Sequence, residues 1–304
     1  MNYMGSFYAF LTAIGFKTNL LTQRVLQEKG AAQIDTYTIY RYAVIPSAIW
    51  CLIFVRKPDI AFVLHSPKLL IYFGVIIVLW NLQALLLSLV INSTSSMTLF
   101  TTIFNMMLLP LFLGFGTFFN HDKPSLFSIV SITILLVALL IKPTPHKKNL
   151  RLSYSKPLYI ILLLVFAKAC CDTVLQGIGR AALQQIHPVV FLGLFSLPTL
   201  VVCALISQFY IRPRTKEASN ETVVMKDKRW LAVLLMPMTW FAASIPEAFA
   251  LATIPIYTFI AINVVTFGMD TTSDLIHKRI RLSMQTLSFL ALVVAGISLS
   301  VLSA

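Results

Sequence analysis

Ten apolar segments, each long enough to cross a lipid bilayer as a helix, account for most of this 304-residue chain and limit what it can fold into. They run at about 4–26, 37–55, 68–91, 95–118, 125–142, 157–183, 188–211, 229–251, 254–277 and 282–303. The hydrocarbon core of a bilayer takes roughly 20 apolar residues per helical crossing. Only 12% of the residues are charged, and the mean hydropathy is +0.84. A soluble domain carries about 25% charged residues. So little polar surface cannot solvate a chain of this size, and the lipid bilayer is its expected partner. Backbone groups in lipid must be satisfied within their own segment, which makes each segment a helix. Continuous apolar runs of this length also exclude the alternating pattern of a membrane β-barrel. The first segment has no basic stretch before it and no small-residue cleavage site, so it reads as a span and not as a cleaved signal.

The formal net charge is +13. The cations sit in loops without interleaved aromatics, so no nucleic-acid partner is expected. They concentrate after odd-numbered segments, at Lys142–Lys156, Arg212–Arg229 and Lys278–Arg281. Under the positive-inside rule that distribution favours both termini outside. The cysteines, Cys51, Cys170, Cys171 and Cys203, lie in apolar segments without metal spacing and read as small buried residues. His65, His121, His146, His187 and His277 fall in loops or at segment ends. With no phosphate loop, zinc motif or nucleophile elbow, no enzyme activity, cofactor or metal is expected.

The polar connection Lys142–Lys156, with Pro143 and Pro145, lies at the chain's midpoint. The two halves carry landmarks in the same order: Lys17 and Lys168, Pro46 and Pro198, Trp80 and Trp240, Asn105 and Asn263. Five segments per half is an odd number, so the second half would insert upside down relative to the first. The expected fold is an all-α membrane protein with ten transmembrane helices arranged as two inverted five-helix repeats, 1–150 and 151–304.

Further features accompany this pattern. Tyr40-Arg41-Tyr42 opens the second segment, Ser93 to Ser96 separate the third from the fourth, and Pro110 follows in the fourth. In span number, halves and these features the chain resembles the drug/metabolite transporter superfamily, in its EamA-like branch. The resemblance implies a secondary transporter, an exporter or exchanger, with a central cavity between the halves. It also implies cytoplasmic termini, opposite to the charge count, in a bacterial inner or plasma membrane.

A charge near the middle of a span opposes insertion by about 2.5–3.5 kcal/mol, so such residues face a cavity or a partner. Lys17 and Lys168 lie deep in their segments and are candidates to hold the anionic group of a substrate. For Lys168 the other reading is an ion pair with Asp172, one turn on. Arg41 either snorkels to an interface or offers its planar fork to a carboxylate. Asp172, Glu247 and Asp270 are candidates for proton coupling, Asp270 equally for helix packing; Asp274 reads as an interfacial ion pair near Lys278–Arg281. Asn81, Asn105 and Asn263, with Gln83, Thr101 and Thr102, either bind a ligand or join helices. Trp80 and Trp240 lie mid-segment, where they either stack on a substrate or fill the core. A cavity with charges of both signs suits a zwitterion such as an amino acid or related metabolite. The expected partners are therefore a small-molecule substrate and protons, for a monomer or homodimer. The competing reading is a non-transporting membrane scaffold or assembly protein.

Overall fold

The computed structural model describes residues 3–27, 40–91, 97–143, 157–211, 230–276 and 280–303. The Ser93 to Ser96 junction and most of the basic connections lie outside these residues. All regular structure among the described residues is helical. In order, the helices are α1 (Tyr3–Gln27), α2 (Val44–Phe54, entered through a 3-10 turn at Arg41–Ala43), α3 (Lys57–Leu64), α4 (Pro67–Ile91), α5 (Met97–Phe118) and α6 (Leu126–Leu140). There follow α7 (Leu158–Leu183), α8 (Pro188–Ile206, continued by a π turn at Ser207–Ile211), α9 (Trp230–Thr253), α10 (Ile256–Asn263), α11 (Val265–Ile276) and α12 (Met284–Leu302).

Four stretches among the described residues, Pro67–Leu87, Leu158–Leu183, Pro188–Tyr210 and Met284–Leu302, are long and apolar enough to cross a membrane. Large apolar side chains such as Leu52, Val78, Phe118, Leu163 and Met284 stand on the outside of the bundle. An outer surface so apolar fits lipid and not water. The chain is an all-α protein of membrane type.

Two local features depart from the ten-segment reading. Residues 57–64 form a separate helix, because Lys57-Pro58-Asp59 starts one: Pro58 presets the first turn, and the backbone N–H of Arg56 donates to Asp59 Oδ2 at 2.8 Å. The ninth segment is interrupted at Val264, whose N–H turns back to the Ala261 carbonyl at 3.2 Å. No proline marks that break in the sequence.

Several hydroxyls inside the bundle are satisfied by their own helices. Thr12, Thr117, Thr173, Thr199 and Ser244 donate to carbonyls four residues earlier, at 2.7–3.0 Å. Helix α1 packs along α9, and α4 along α7; α2 packs against α8, α6 against α12, and α5 against both α7 and α10. Small residues make these contacts close. Ser47 on α2 and Ser196 on α8, both fully buried, share a hydrogen bond at 2.5 Å. Ser131 on α6 donates to the Gly296 carbonyl on α12 at 2.7 Å.

At Gly15 the approach of α1 to α9 leaves no room for a side chain. A Cβ there would sit 2.7 Å from the Ala243 Cβ and 3.0 Å from its Cα, whereas at Gly74 it would meet nothing within 4 Å. The two Gly→Ala substitutions should therefore differ in sign. Gly74→Ala gains helix propensity, about 1 kcal/mol, and should hold or raise the melting temperature in detergent. Gly15→Ala must shift backbone, and should lower it by the equivalent of about 1–3 kcal/mol. Equal effects at the two positions would contradict this packing.

Candidate functional site

A central cavity of about 330 Å³ lies between the helices. Several of them contribute a stripe of residues three or four apart, the spacing that puts side chains on one helical face. From α1 come Ala13, Phe16 and Lys17; from α4, Ile76, Trp80, Gln83, Ala84 and Leu87. Helix α7 contributes Lys168, Asp172, Leu175, Gln176 and Gly179, and α9 contributes Trp240, Ser244, Glu247, Ala248 and Leu251. Asn105 on α5 and Asn263 on α10 add to the polar part of the wall, Asn263 being the last residue before the break at Val264.

Most charges around this space are matched within the protein. Lys168 Nζ donates to Asp172 Oδ2 at 2.7 Å and lies 4.2 Å from the centroid of the Phe104 ring. The Lys17 ammonium donates to the Asp270 carboxylate, an ion pair that joins α1 to α11. Arg180, near the end of α7, is paired with Asp122 in the α5–α6 connection. Glu247 is different. Gln176 Nε2 donates to its Oε1 at 2.6 Å, and no lysine or arginine pairs with it among the described residues.

Three aromatic rings meet at the cavity. Trp80 and Trp240 have centroids 5.9 Å apart at 70°. The Tyr40 ring meets Trp80 at 5.2 Å and 75°, and Trp240 at 5.7 Å and 73°. All three contacts are edge-to-face, the geometry that sets a ring's positive rim against a negative face.

Of the residues singled out from the sequence, Lys17, Lys168, Trp80, Asn105, Trp240, Asn263, Asp172 and Glu247 line the cavity. Arg41, Asn81 and Asp270 lie outside its lining. The Arg41 guanidinium is drawn onto its neighbour, 4.8 Å from the Tyr42 ring centroid, and donates to the Tyr42 hydroxyl at 2.9 Å. Asn81 is one residue, and so about 100° of helical turn, away from Trp80; it is buried and donates to the Ile77 carbonyl at 2.9 Å. Asp270 meets the cavity only through Lys17. Neither lysine offers a free ammonium to a substrate anion, because each already holds a carboxylate. The sequence reading had not singled out Tyr40 or Gln176 as site residues. Gln176 had a legible signal, one turn beyond Asp172 and two beyond Lys168 on the same helical face.

No protein-family model and no curated protein matches the chain. One solved crystal structure of a protein superposes on it with a TM-score of 0.72 at 14% sequence identity, covering 98% of this chain and 96% of that one. At that identity the likeness extends to the fold alone.

The Lys17–Asp270 pair can be tested by a double-mutant cycle read as melting temperature. Lys17→Met leaves the carboxylate unmatched, and Asp270→Asn leaves the ammonium unmatched, so each should lower stability. Lys17→Met with Asp270→Asn removes both charges and should recover most of the loss. Losses that simply add would show that the two residues do not interact.

Proposed function

We propose that the chain is a multi-pass secondary transporter of a small polar organic solute, of the drug/metabolite transporter superfamily and its EamA-like branch. In this reading ten spans form two inverted five-helix repeats, 1–150 and 151–304, which carry the solute by alternating access through the central cavity. A bacterial inner or plasma membrane is the setting, and export or exchange is the direction the resemblance favours.

The observation that carries this reading is the make-up of the cavity wall. Three of its residue types recur at matching places in the two halves: Lys17 with Lys168, Trp80 with Trp240, and Asn105 with Asn263. The helix packing supports the repeat as well. Exchanging the halves turns the α1–α9 contact into the α7–α4 contact and maps α2 against α8 and α6 against α12 onto themselves. A site between two inverted repeats, beside an interrupted helix, is the arrangement that secondary carriers use. The interruption at Val264, next to Asn263, corresponds to that feature. A scaffold protein has no use for a central cavity lined with ionisable groups, each of which opposes insertion. The cavity volume lies near the small end of the roughly 300–1,000 Å³ typical of small-molecule sites, which suits a solute of amino-acid size.

Counterflow in liposomes tests the transporter reading. Purified protein, reconstituted and preloaded with a mixture of unlabelled amino acids and small amines, should drive saturable uptake of the matching labelled solutes. Folded protein that gives no saturable flux above protein-free liposomes would favour the scaffold reading.

A further inference from the structure

We infer that the cavity recognises its ligand through a cationic nitrogen seated on Glu247, so that its ligand class is a small organic amine with an apolar body and not an organic anion. The inference rests on reading the cavity as the solute site, and it narrows the solute class.

The charge balance of the wall is the first argument. Lys17 is matched by Asp270 and Lys168 by Asp172. Binding a substrate anion at either lysine would require breaking an ion pair, and at Lys168 it would strand the buried Asp172 carboxylate, which is strongly unfavourable. Glu247 needs no such exchange. Its partner is the neutral amide of Gln176, at 2.6 Å. A cation arriving there supplies the counter-charge that the described part of the protein does not.

Hydrogen-bond supply gives an independent second argument. Asp172 Oδ1, Gln83 Oε1 and Asn263 Oδ1 belong to side chains of the same wall, and none of these buried oxygens has a donor among the described residues. Buried acceptors without donors are rare in folded proteins, and each calls for a partner. An ammonium brings up to three N–H donors and no acceptor, whereas a carboxylate would add acceptors to a wall already short of donors.

The apolar requirement comes from the rings. Trp240 and Glu247 lie seven residues apart on the same face of α9, about 10 Å along the axis. A nitrogen on Glu247 therefore lets an apolar body extend toward Trp240 and Trp80, whose π faces also favour a nearby cation.

Three molecules sharing one phenyl ring isolate the charge. Phenylalanine carries both charges, phenethylamine lacks the carboxylate, and 3-phenylpropanoate lacks the amine. Binding to the purified full-length chain in detergent, by calorimetry and thermal shift, should rank phenethylamine and phenylalanine above 3-phenylpropanoate by about tenfold or more, the size expected of one charged hydrogen bond. Glu247→Gln should weaken phenethylamine by a similar factor, while Glu247→Asp, which keeps the charge, should retain part of the binding. The inference is overturned if 3-phenylpropanoate binds as tightly as phenethylamine, if phenethylamine does not bind the native chain, or if Glu247→Gln binds it unchanged. Should Glu247→Gln fail to fold, the ranking on the native chain decides. Saturable flux of 3-phenylpropanoate without amine binding would sink the inference and leave the transporter standing. Amine binding that depends on Glu247, with no flux of any solute, would do the reverse.

Discussion

A charge held inside an apolar bundle is costly unless a counter-charge sits beside it, and much of the arrangement around the cavity follows from that cost. Moving an ion out of water has an effective penalty of several kcal/mol, which is recovered only if a partner sits close and well placed. Lys168 meets it within its own helix, through Asp172 one turn away. Lys17 has no carboxylate on α1, so it reaches Asp270 on α11, 253 residues along the chain. Arg180 likewise joins α7 to the α5–α6 connection through Asp122. These two long-range pairs do more than neutralise charge. Each fixes the sliding and rotation of a helix that apolar packing alone would leave loosely specified.

The close packing depends on a different group of residues. In lipid there is no hydrophobic force to press one apolar helix on another, so contact must come from shape and from hydrogen bonds. Gly15 lets α1 approach the Ala243 backbone, and Gly296 lets α12 approach Leu135. Ser47 with Ser196, and Ser131 with the Gly296 carbonyl, add directional bonds at those close approaches. Where the helices separate again the space is the cavity, with Trp80, Trp240 and Tyr40 filling part of it in edge-to-face contact.

Most helix positions were legible because apolar length alone sets them, although the short helix at 57–64 was not, and the Lys168–Asp172 pair was legible because i,i+4 spacing is local. Trp80 and Trp240, read as matching positions, do meet across the cavity. What failed to show was direction around each helix. A helix apolar on every side carries no amphipathic period, so nothing distinguished Trp80, which lines the cavity, from Asn81, which does not. For the same reason the sequence leaves Arg41 open between an interface and the cavity, whereas in the structure its own neighbour Tyr42 takes it up. The Lys17–Asp270 pair depends on how α1 and α11 lie together, which spacing along the chain does not encode. The break at Val264 has no proline to announce it, and only the packed structure reveals it.

The two long-range ion pairs also lie toward different ends of the bundle. Gly116 on α5 approaches both Asp122, the partner of Arg180, and Ile256, the first residue of α10. Gly5 on α1 approaches Ile254 at that same end, and Lys17 lies twelve residues further along α1, about 18 Å along its axis. The Arg180–Asp122 pair thus belongs to one end of α10–α11 and the Lys17–Asp270 pair lies well toward the other. On the transporter reading, this placement has a physical consequence for alternating access. An ion pair sealed from water is held strongly, because separating it strands two charges in an apolar medium. The same pair in contact with water is worth little, since water solvates both charges. Wetting one end of the cavity would therefore loosen the pair at that end and favour further opening there. The pair at the dry end would stay strong and hold it shut. Each pair would then reinforce whichever state its own end is in, which favours two distinct arrangements over a continuum and gives a cavity between two such pairs a reason to open on one side at a time.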